Sequence, residues 1–231
     1  MRDLASNQTK IWFDANKHVY DRELKQPAGA LAAAVSWALE QRGIPLVGDA
    51  KRSLFRIHRD VRFSNDKTPY KTNTALVWFR PGSAGNGKPG AGVLYFQVGA
   101  ESMMGAAFYM PSKDVLESVR EGIRVRPDAF LTAVAELAGS GLALGRADSL
   151  TCMPRGFEDM ADTPVAEYLR MRSYVVERPL TPRDVGSGKL IETLADFAGI
   201  AMPLLRFGWR AVDEVAPDSA KCRGAHVTTP T

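Results

Sequence analysis

The residues best able to do chemistry in this chain lie between positions 52 and 71. His58 and Asp60 are two positions apart, so in an extended strand both side chains would project from the same face. A carboxylate placed there can orient an imidazole, which can then act as a general acid or base near neutral pH. His58 and Asp60 are therefore the candidate catalytic residues.

A dense group of cationic side chains surrounds this pair. Arginine presents a planar fork of donors that matches phosphate and carboxylate oxygens, and lysine supplies a point charge for the same groups. We therefore expect the segment to bind an anionic small molecule or a phosphate group, with or without catalysis. The candidate ligand-binding residues are Arg56, His58, Arg59, Arg62, Lys67, Tyr70 and Lys71.

The alternation of apolar and charged residues predicts a β-strand over positions 52–63, around which the rest of the chain is organised. On this prediction Phe55, Ile57, Val61 and Phe63 share the buried face, and Arg56, His58, Asp60 and Arg62 share the opposite face. Arg59 falls on the apolar parity and joins the charged group only if the strand ends or bulges there. A turn-rich loop at 64–69 then brings Lys67, Tyr70 and Lys71 back beside the charged row.

Two other interpretations of these charges stay open. In the first, Asp60 and Asp66 pair with the arginines and lysines and lock the strand to its loop, so the segment has a structural role or serves an interaction module. In the second, the face binds nucleic acid, which requires a broad basic stripe extended by Arg155, Arg170 and Arg172. The net charge of only +4 is mild for a dedicated nucleic-acid-binding protein.

The rest of the chain predicts an α+β fold, in which helices from both ends pack on a mostly antiparallel sheet. Strands are predicted at 74–79, 93–98, 104–110 and 173–177. Helices are predicted at 9–25, 28–42, 112–123, 128–137, 164–171 and 188–213. Pro27 should interrupt the first helical region, and Pro203 should kink or split the last. The helical spacing of Trp12, Phe13, Tyr20 and Trp37 favours core positions for all four.

Length and composition set the remaining expectations. At 231 residues and 45% hydrophobic content, the chain can form a single α+β domain over 1–214, followed by a disordered tail at 215–231. Cys152 and Cys222 are too few for a disulfide framework or a zinc site, and no cluster of metal ligands stands out. The residues leave open whether another cofactor is used. No stretch has the character of a signal peptide or membrane span. We therefore expect a cytoplasmic protein with no membrane partner.

The central segment also carries a family signature. It reads Ser-Leu-Phe-Arg-Ile-His-Arg-Asp-Val-Arg-Phe-Ser from position 53 and Asp-Lys-Thr-Pro-Tyr-Lys-Thr from position 66. This strongly resembles the signature of a domain-of-unknown-function family numbered 2461. Further matches are Trp12-Phe13, Lys17, Tyr20, Pro154-Arg155-Gly156-Phe157 and Leu169-Arg170.

The resemblance extends to about residue 213, with two departures from the family pattern. Asn65 stands where the family has lysine, and 159–163 lacks a histidine often found there. The resemblance implies no activity, because the family is named for lacking one.

Overall fold

The computed structural model describes residues 1–82, 92–146 and 148–215. Within these ranges the strands form one antiparallel sheet in the order β1-β2-β3-β4. They are β1 (Thr74–Phe79), β2 (Val93–Val98), β3 (Ser102–Phe108) and β4 (Tyr174–Leu180). Apart from residue 215, the predicted disordered tail lies outside the described residues.

The strand boundaries follow from local chemistry. β1 and β2 have the predicted limits, because each is a short apolar run between turn residues. β3 begins and ends two residues before the prediction, and Met110 lies beyond it with a positive φ of 42°. β4 extends through Pro179 to Leu180, which is possible because β4 is an edge strand and proline is tolerated there.

A continuous helical region occupies most of the first 41 residues. It follows α1 (Arg2–Ser6) and consists of α2 (Lys10–Tyr20), a π-helical turn (Asp21–Lys25) and α3 (Gln26–Gln41). Thr9 caps α2 by accepting the Trp12 backbone N–H at 3.3 Å. Pro27 lies in the first turn of α3, where proline is tolerated, but the predicted break in the helical region does not occur. The π turn ends at Lys25, two residues before the proline, and its wider ring accommodates a residue that cannot donate the usual backbone hydrogen bond.

The remaining helices follow β3 and β4. They are α4 (Lys113–Val125), α5 (Pro127–Gly139), a 3₁₀ turn (Glu158–Met160), α6 (Ala166–Leu169), α7 (Pro182–Val185) and α8 (Leu190–Val215). Ser112 caps α4 by accepting the Val115 N–H at 3.4 Å. α8 runs through Pro203 without a break, so the split allowed by the prediction does not occur.

The main core lies between one face of the sheet and the helices. α3 packs on β1, α8 packs on β3 and β2, and α4 and α5 pack in turn on α8. Trp78, Phe108, Phe130 and Phe197 are among the largest side chains that are fully buried there. The predicted α+β fold is confirmed, with helices from both ends of the chain on an antiparallel sheet.

The predicted strand at 52–63 is wrong. This segment makes only isolated bridges, one from Leu54 to Leu76 in β1 and one from His58 to Tyr70. The Phe55 N–H donates to the Ala75 carbonyl at 3.0 Å, after which the chain leaves β1 and turns back on itself. Ile57 is buried as predicted, whereas Phe55 and Val61 are half-buried and Phe63 is 95% exposed. Apolar alternation without a continuous partner strand does not produce a strand.

A small second core joins the N-terminal helices to this segment. Its buried members are Leu4, Phe13, Ile57 and Tyr70, and we call it the satellite cluster. Trp12 and Tyr20 pack against it, half-buried. The core position predicted for Trp37 is wrong, because its side chain is 65% exposed on α3.

Candidate functional site

Residues 59–71, which we call the basic loop, are closed at their ends by backbone hydrogen bonds. The Arg59 N–H donates to the Pro69 carbonyl at 2.9 Å, and the Lys71 N–H donates to the Ile57 carbonyl at 2.8 Å. Inside the loop, Asp66 accepts the Thr68 backbone N–H at 2.9 Å and also pairs with the Arg59 guanidinium. These bonds lower the pKa of Asp66 to about 2, with the Thr68 N–H contributing most. Arg59 therefore stabilises the loop by linking its beginning to Asp66.

Arg62 is held by Asp60 through two nitrogens. Its Nε lies 2.9 Å from one carboxylate oxygen, and its Nη2 lies 2.7 Å from the other. Hydrogen bonds from the Arg62 side chain and backbone lower the pKa of Asp60 to about 2, and the charge of Arg56 adds a smaller effect. Asp60 is thus ionised, and both of its carboxylate oxygens accept hydrogen bonds from Arg62.

The two candidate catalytic residues are not hydrogen-bonded to each other in the part of the chain that the structure describes. The His58 ring instead lies against two aromatic rings, 5.2 Å from Tyr70 and 6.0 Å from Phe13 between centroids. The carboxylate that was expected to orient the imidazole faces Arg62. The geometry of an oriented general base is therefore absent from this arrangement.

Tyr70 and Lys67 also make contacts within the fold. Tyr70 is only 3% exposed, stacks on Phe13 at 4.5 Å and donates its backbone N–H to Gln8 Oε1 at 3.0 Å. It therefore attaches the basic loop to α2. The Lys67 ammonium donates to the Val61 carbonyl at 3.0 Å and closes the turn from within.

Arg56 and Lys71 differ from the other cations of this segment, and we call them the Arg56–Lys71 pair. Neither forms an ion pair with a carboxylate within residues 1–82, 92–146 and 148–215. Burial lowers the pKa of Lys71, and the positive charge of Arg56 lowers it further, so the two cations lie close enough to repel. The Lys71 ammonium is 5.2 Å from the centre of the Phe55 ring.

An aromatic and polar surface of β2 adjoins the Arg56–Lys71 pair. The Phe55 ring meets the edge of Tyr95 with centroids 6.0 Å apart. Burial raises the pKa of Tyr95, so its hydroxyl keeps its proton and donates to Gln97 Oε1 at 2.8 Å. Sequence reasoning missed these β2 residues. Their parity opposite Leu94 and Phe96 was the available signal that they leave the core face.

Comparison with known proteins places the chain in a family. The model of the family described as "Conserved hypothetical protein (DUF2461)" matches residues 1–207. The chain belongs to the DUF2461 family. Neither the curated proteins nor the solved structures contain a match to it. The resemblance seen in the central segment is therefore confirmed, and the family description adds no activity.

Metal ligands and membrane-spanning helices are two further features that bear on function in this DUF2461 chain. Among the described residues, no group of three or more His, Cys, Asp and Glu side chains is placed to hold a metal ion. No helix within those ranges combines the length and apolar character that crossing a membrane requires. Cys152 is exposed, and Cys222 lies outside the described residues.

The residues expected to extend a basic stripe have different environments. Arg155 and Arg172 are exposed, and Arg172 lies 3.4 Å from Asp148 in an ion pair. Arg170 is partly buried, and its Nε has no hydrogen-bond partner within the described ranges. Only one of the three therefore presents an exposed guanidinium without a carboxylate partner in this part of the chain.

Proposed function

We propose that this protein binds a small anionic ligand by holding its phosphate or carboxylate group between Arg56 and Lys71. The observation that carries the proposal is the difference in pairing along one short segment. Arg59 and Arg62 each have a carboxylate partner, whereas the Arg56–Lys71 pair has none among the described residues. An anion between two neighbouring cations would relieve their repulsion and form charge-assisted hydrogen bonds with both.

The surroundings of the Arg56–Lys71 pair favour a ligand with an apolar or aromatic part. The Lys71 ammonium lies against the Phe55 ring, and Tyr95 meets that ring at its edge. Lys71 is half-buried, so an ion pair formed there is screened less than one in open solvent. The charged end of a ligand would meet Arg56 and Lys71, while its body would rest on the aromatic side chains.

The other expected ligand-binding residues support this site. Arg59, Arg62 and Lys67 fasten the basic loop, and Tyr70 attaches it to α2. The loop in turn fixes Lys71, whose backbone N–H is bonded to Ile57. A catalytic role for His58 and Asp60 stays a prediction, and the proposed binding requires neither of them.

A small ligand fits these charges better than nucleic acid does. Binding along a nucleic-acid backbone requires many cations that are free to contact successive phosphates. Here Arg59, Arg62 and Arg172 are already paired with Asp66, Asp60 and Asp148. The Arg56–Lys71 pair offers two positive charges, which a single phosphate or carboxylate group could neutralise.

The test is calorimetric titration of sodium phosphate, and separately of sodium benzoate, into the wild type and matched variants. We expect saturable binding by the wild type and its loss in both Arg56→Gln and Lys71→Gln, because each removes one of the two charges. Lys189→Gln is the control, since Lys189 is exposed and has no ion pair in the described chain. Circular dichroism checks that each variant is folded.

Three results would count against the proposal. The first is the absence of saturable heat with either anion, and the second is equal loss of binding in the Lys189 variant. The third is binding of a single-stranded oligonucleotide that depends on Arg155 and Arg172 as strongly as on Arg56. That result would favour the nucleic-acid interpretation.

A further inference from the structure

A surface cavity of about 560 Å³ lies away from the basic loop, between α3 and residues 43–48. One wall is a single face of α3, formed by Ala33, Ser36, Trp37 and Glu40 at helical spacing. The opposite wall is the chain that returns from the end of that helix, residues 43–48. The volume falls in the range of about 300–1,000 Å³ that is typical of small-molecule sites.

The two walls are joined by specific hydrogen bonds. The Ser36 hydroxyl accepts the Gly48 N–H at 2.8 Å and also lies 2.7 Å from the Gly48 carbonyl oxygen. Val47 exchanges two backbone hydrogen bonds with Phe79 at the end of β1, at 2.9 and 3.0 Å. Gly48 is itself closely packed, because a Cβ there would overlap the Ser53 hydroxyl and the Trp78 ring. The cavity is therefore formed by the fold before any ligand arrives.

The charged groups beside this mostly apolar cavity are negative. Glu40 is its only ionisable residue, is exposed and has no ion pair within the described ranges. α3 ends at Gln41, so the negative end of its dipole lies beside the cavity. The nearest arginine in the sequence, Arg42, forms an ion pair with Asp196 of α8 at 2.9 Å. In a chain of net charge +4, this is a local surface of the opposite sign.

Trp37 lies beside Glu40 on the same helix face and is 65% exposed. The exposed indole leaves an aromatic face open to a ligand at the rim of the cavity. Tryptophan provides the best aromatic face for a cation, and a neighbouring carboxylate adds a charge of the required sign.

We propose that this cavity binds a small alkylammonium cation, with the ammonium group over the Trp37 ring and beside the Glu40 carboxylate. The short alkyl groups would lie on the apolar wall formed by Ile44, Pro45 and Leu46. The assignment rests on charge complementarity within a preformed cavity. It is independent of the anion site, because it uses different residues and the opposite charge.

The test follows the indole N–H signals of the protein by ¹⁵N NMR while tetramethylammonium chloride replaces sodium chloride at constant ionic strength. The chain has four tryptophans, and Trp37→Phe identifies the signal of Trp37. Trp78 and Trp209 donate their indole N–H groups to the carbonyls of Ala32 and Gly92. We therefore expect a saturable shift of the Trp37 signal while those of the other tryptophans stay in place.

Two matched variants test the charge. Glu40→Gln should weaken binding by about two- to five-fold, which corresponds to about 0.4–1 kcal/mol and lies within the range of an exposed ion pair. Glu136→Gln should leave binding unchanged, because Glu136 is an exposed carboxylate on α5 without an ion pair in the described chain. Both substitutions lie on exposed helix surfaces, and circular dichroism confirms the fold of each variant.

The proposal is overturned by any of four outcomes. A shift of Trp37 that grows linearly without saturation means that the salt perturbs the ring without binding. An equal response to neutral tert-butanol means that the cavity accepts apolar molecules irrespective of charge. Unchanged affinity in Glu40→Gln, or equal weakening in Glu136→Gln, removes the role of the carboxylate.

Discussion

Two carboxylates determine which of the arginines at positions 56, 59 and 62 remain available to a ligand. Asp66 forms an ion pair with Arg59, and Asp60 accepts hydrogen bonds from Arg62 through both of its carboxylate oxygens. A guanidinium already held in this way has fewer donors to offer an incoming anion. The structural pairing considered for these charges thus accounts for two arginines and leaves Arg56 outside it.

The pKa of Asp60 is the direct measure of this pairing. Its pKa lies at about 2, below the ordinary value of 3.8, chiefly because Arg62 donates hydrogen bonds to the carboxylate. Because the folded pKa is below the unfolded value, the pair adds stability above about pH 4, and this stability is lost as the pH falls towards 2. In a ¹³C NMR titration of the carboxyl groups, we expect Asp60 and Asp66 both to titrate near pH 2.

The variant Arg62→Gln separates the two carboxylates. It should raise the pKa of Asp60 towards 3.8 and leave Asp66 where it is, since Asp66 is held by Thr68 and Arg59. Titration of Asp60 near 3.8 in the wild type would show that the pair is absent in solution.

At the level of elements, the sequence predicted best where burial alone decides the structure. β1 and β2 are apolar runs flanked by turn residues, and Ser112 is a helix cap followed by an amphipathic pattern, so local signals are sufficient. The segment 52–63 alternates just as clearly, but its conformation depends on how long it stays beside β1. It makes a few bonds there and then turns into the basic loop, where Asp60 and Asp66 pair with Arg62 and Arg59.

Sites formed by segments that meet only in the folded structure could not be predicted from the sequence. Glu40 and Trp37 are close on one helix face, but the opposing wall at 43–48 is positioned by the bond between Ser36 and Gly48. Tyr95 reaches Phe55 only because β1 and β2 pair as they do. The helical spacing of Trp37 predicted a core position, but the packing of the folded chain leaves it at the rim of a cavity.

The packing of α4 on α8 depends on a glycine. A Cβ at Gly122 would lie 2.6 Å from the Cβ of Ala211, so Gly122→Ala should force the helices apart. We expect a net loss of about 1–3 kcal/mol in the free energy of unfolding, since overpacking outweighs the gain in helix propensity. Chemical denaturation measures this loss.

Gly139→Ala is the matched control for this substitution. Gly139 ends α5, and a Cβ there would have no neighbour within 4 Å. We expect the stability to stay the same or rise by up to about 1 kcal/mol. Equal losses in the two variants would mean that backbone effects, and not the α4–α8 contact, cause the change.

Across the whole molecule, two cores of unequal size are connected by one helical region. The main core fills the space between sheet and helices, whereas the satellite cluster has four buried residues. The predicted single domain over 1–214 stays a prediction. A core of four residues buries little apolar surface, so its local opening should cost less free energy than global unfolding.

Hydrogen exchange tests this unequal stability. We expect the amides of α2 and the basic loop to exchange faster than those of β2 and β3 when measured by mass spectrometry on the native protein. Phe13→Ala should speed exchange in both α2 and the basic loop together, because Phe13 contacts Tyr70 across the satellite cluster. Uniform protection of all four segments would show that the protein opens only as one unit.

The π-helical turn at Asp21–Lys25 sets the rotational phase between the two halves of the helical region. The Gln26 N–H reaches back five residues to the Asp21 carbonyl, one residue further than an α-helical bond. With α-type bonds throughout, one residue fewer would fill this turn, and α2 would be rotated by about 100° relative to α3. Phe13 would then face away from Tyr70. The turn therefore fixes the direction in which α2 presents Phe13. Because Phe13 packs on Tyr70, the orientation of α3 on the sheet also determines where the basic loop is held.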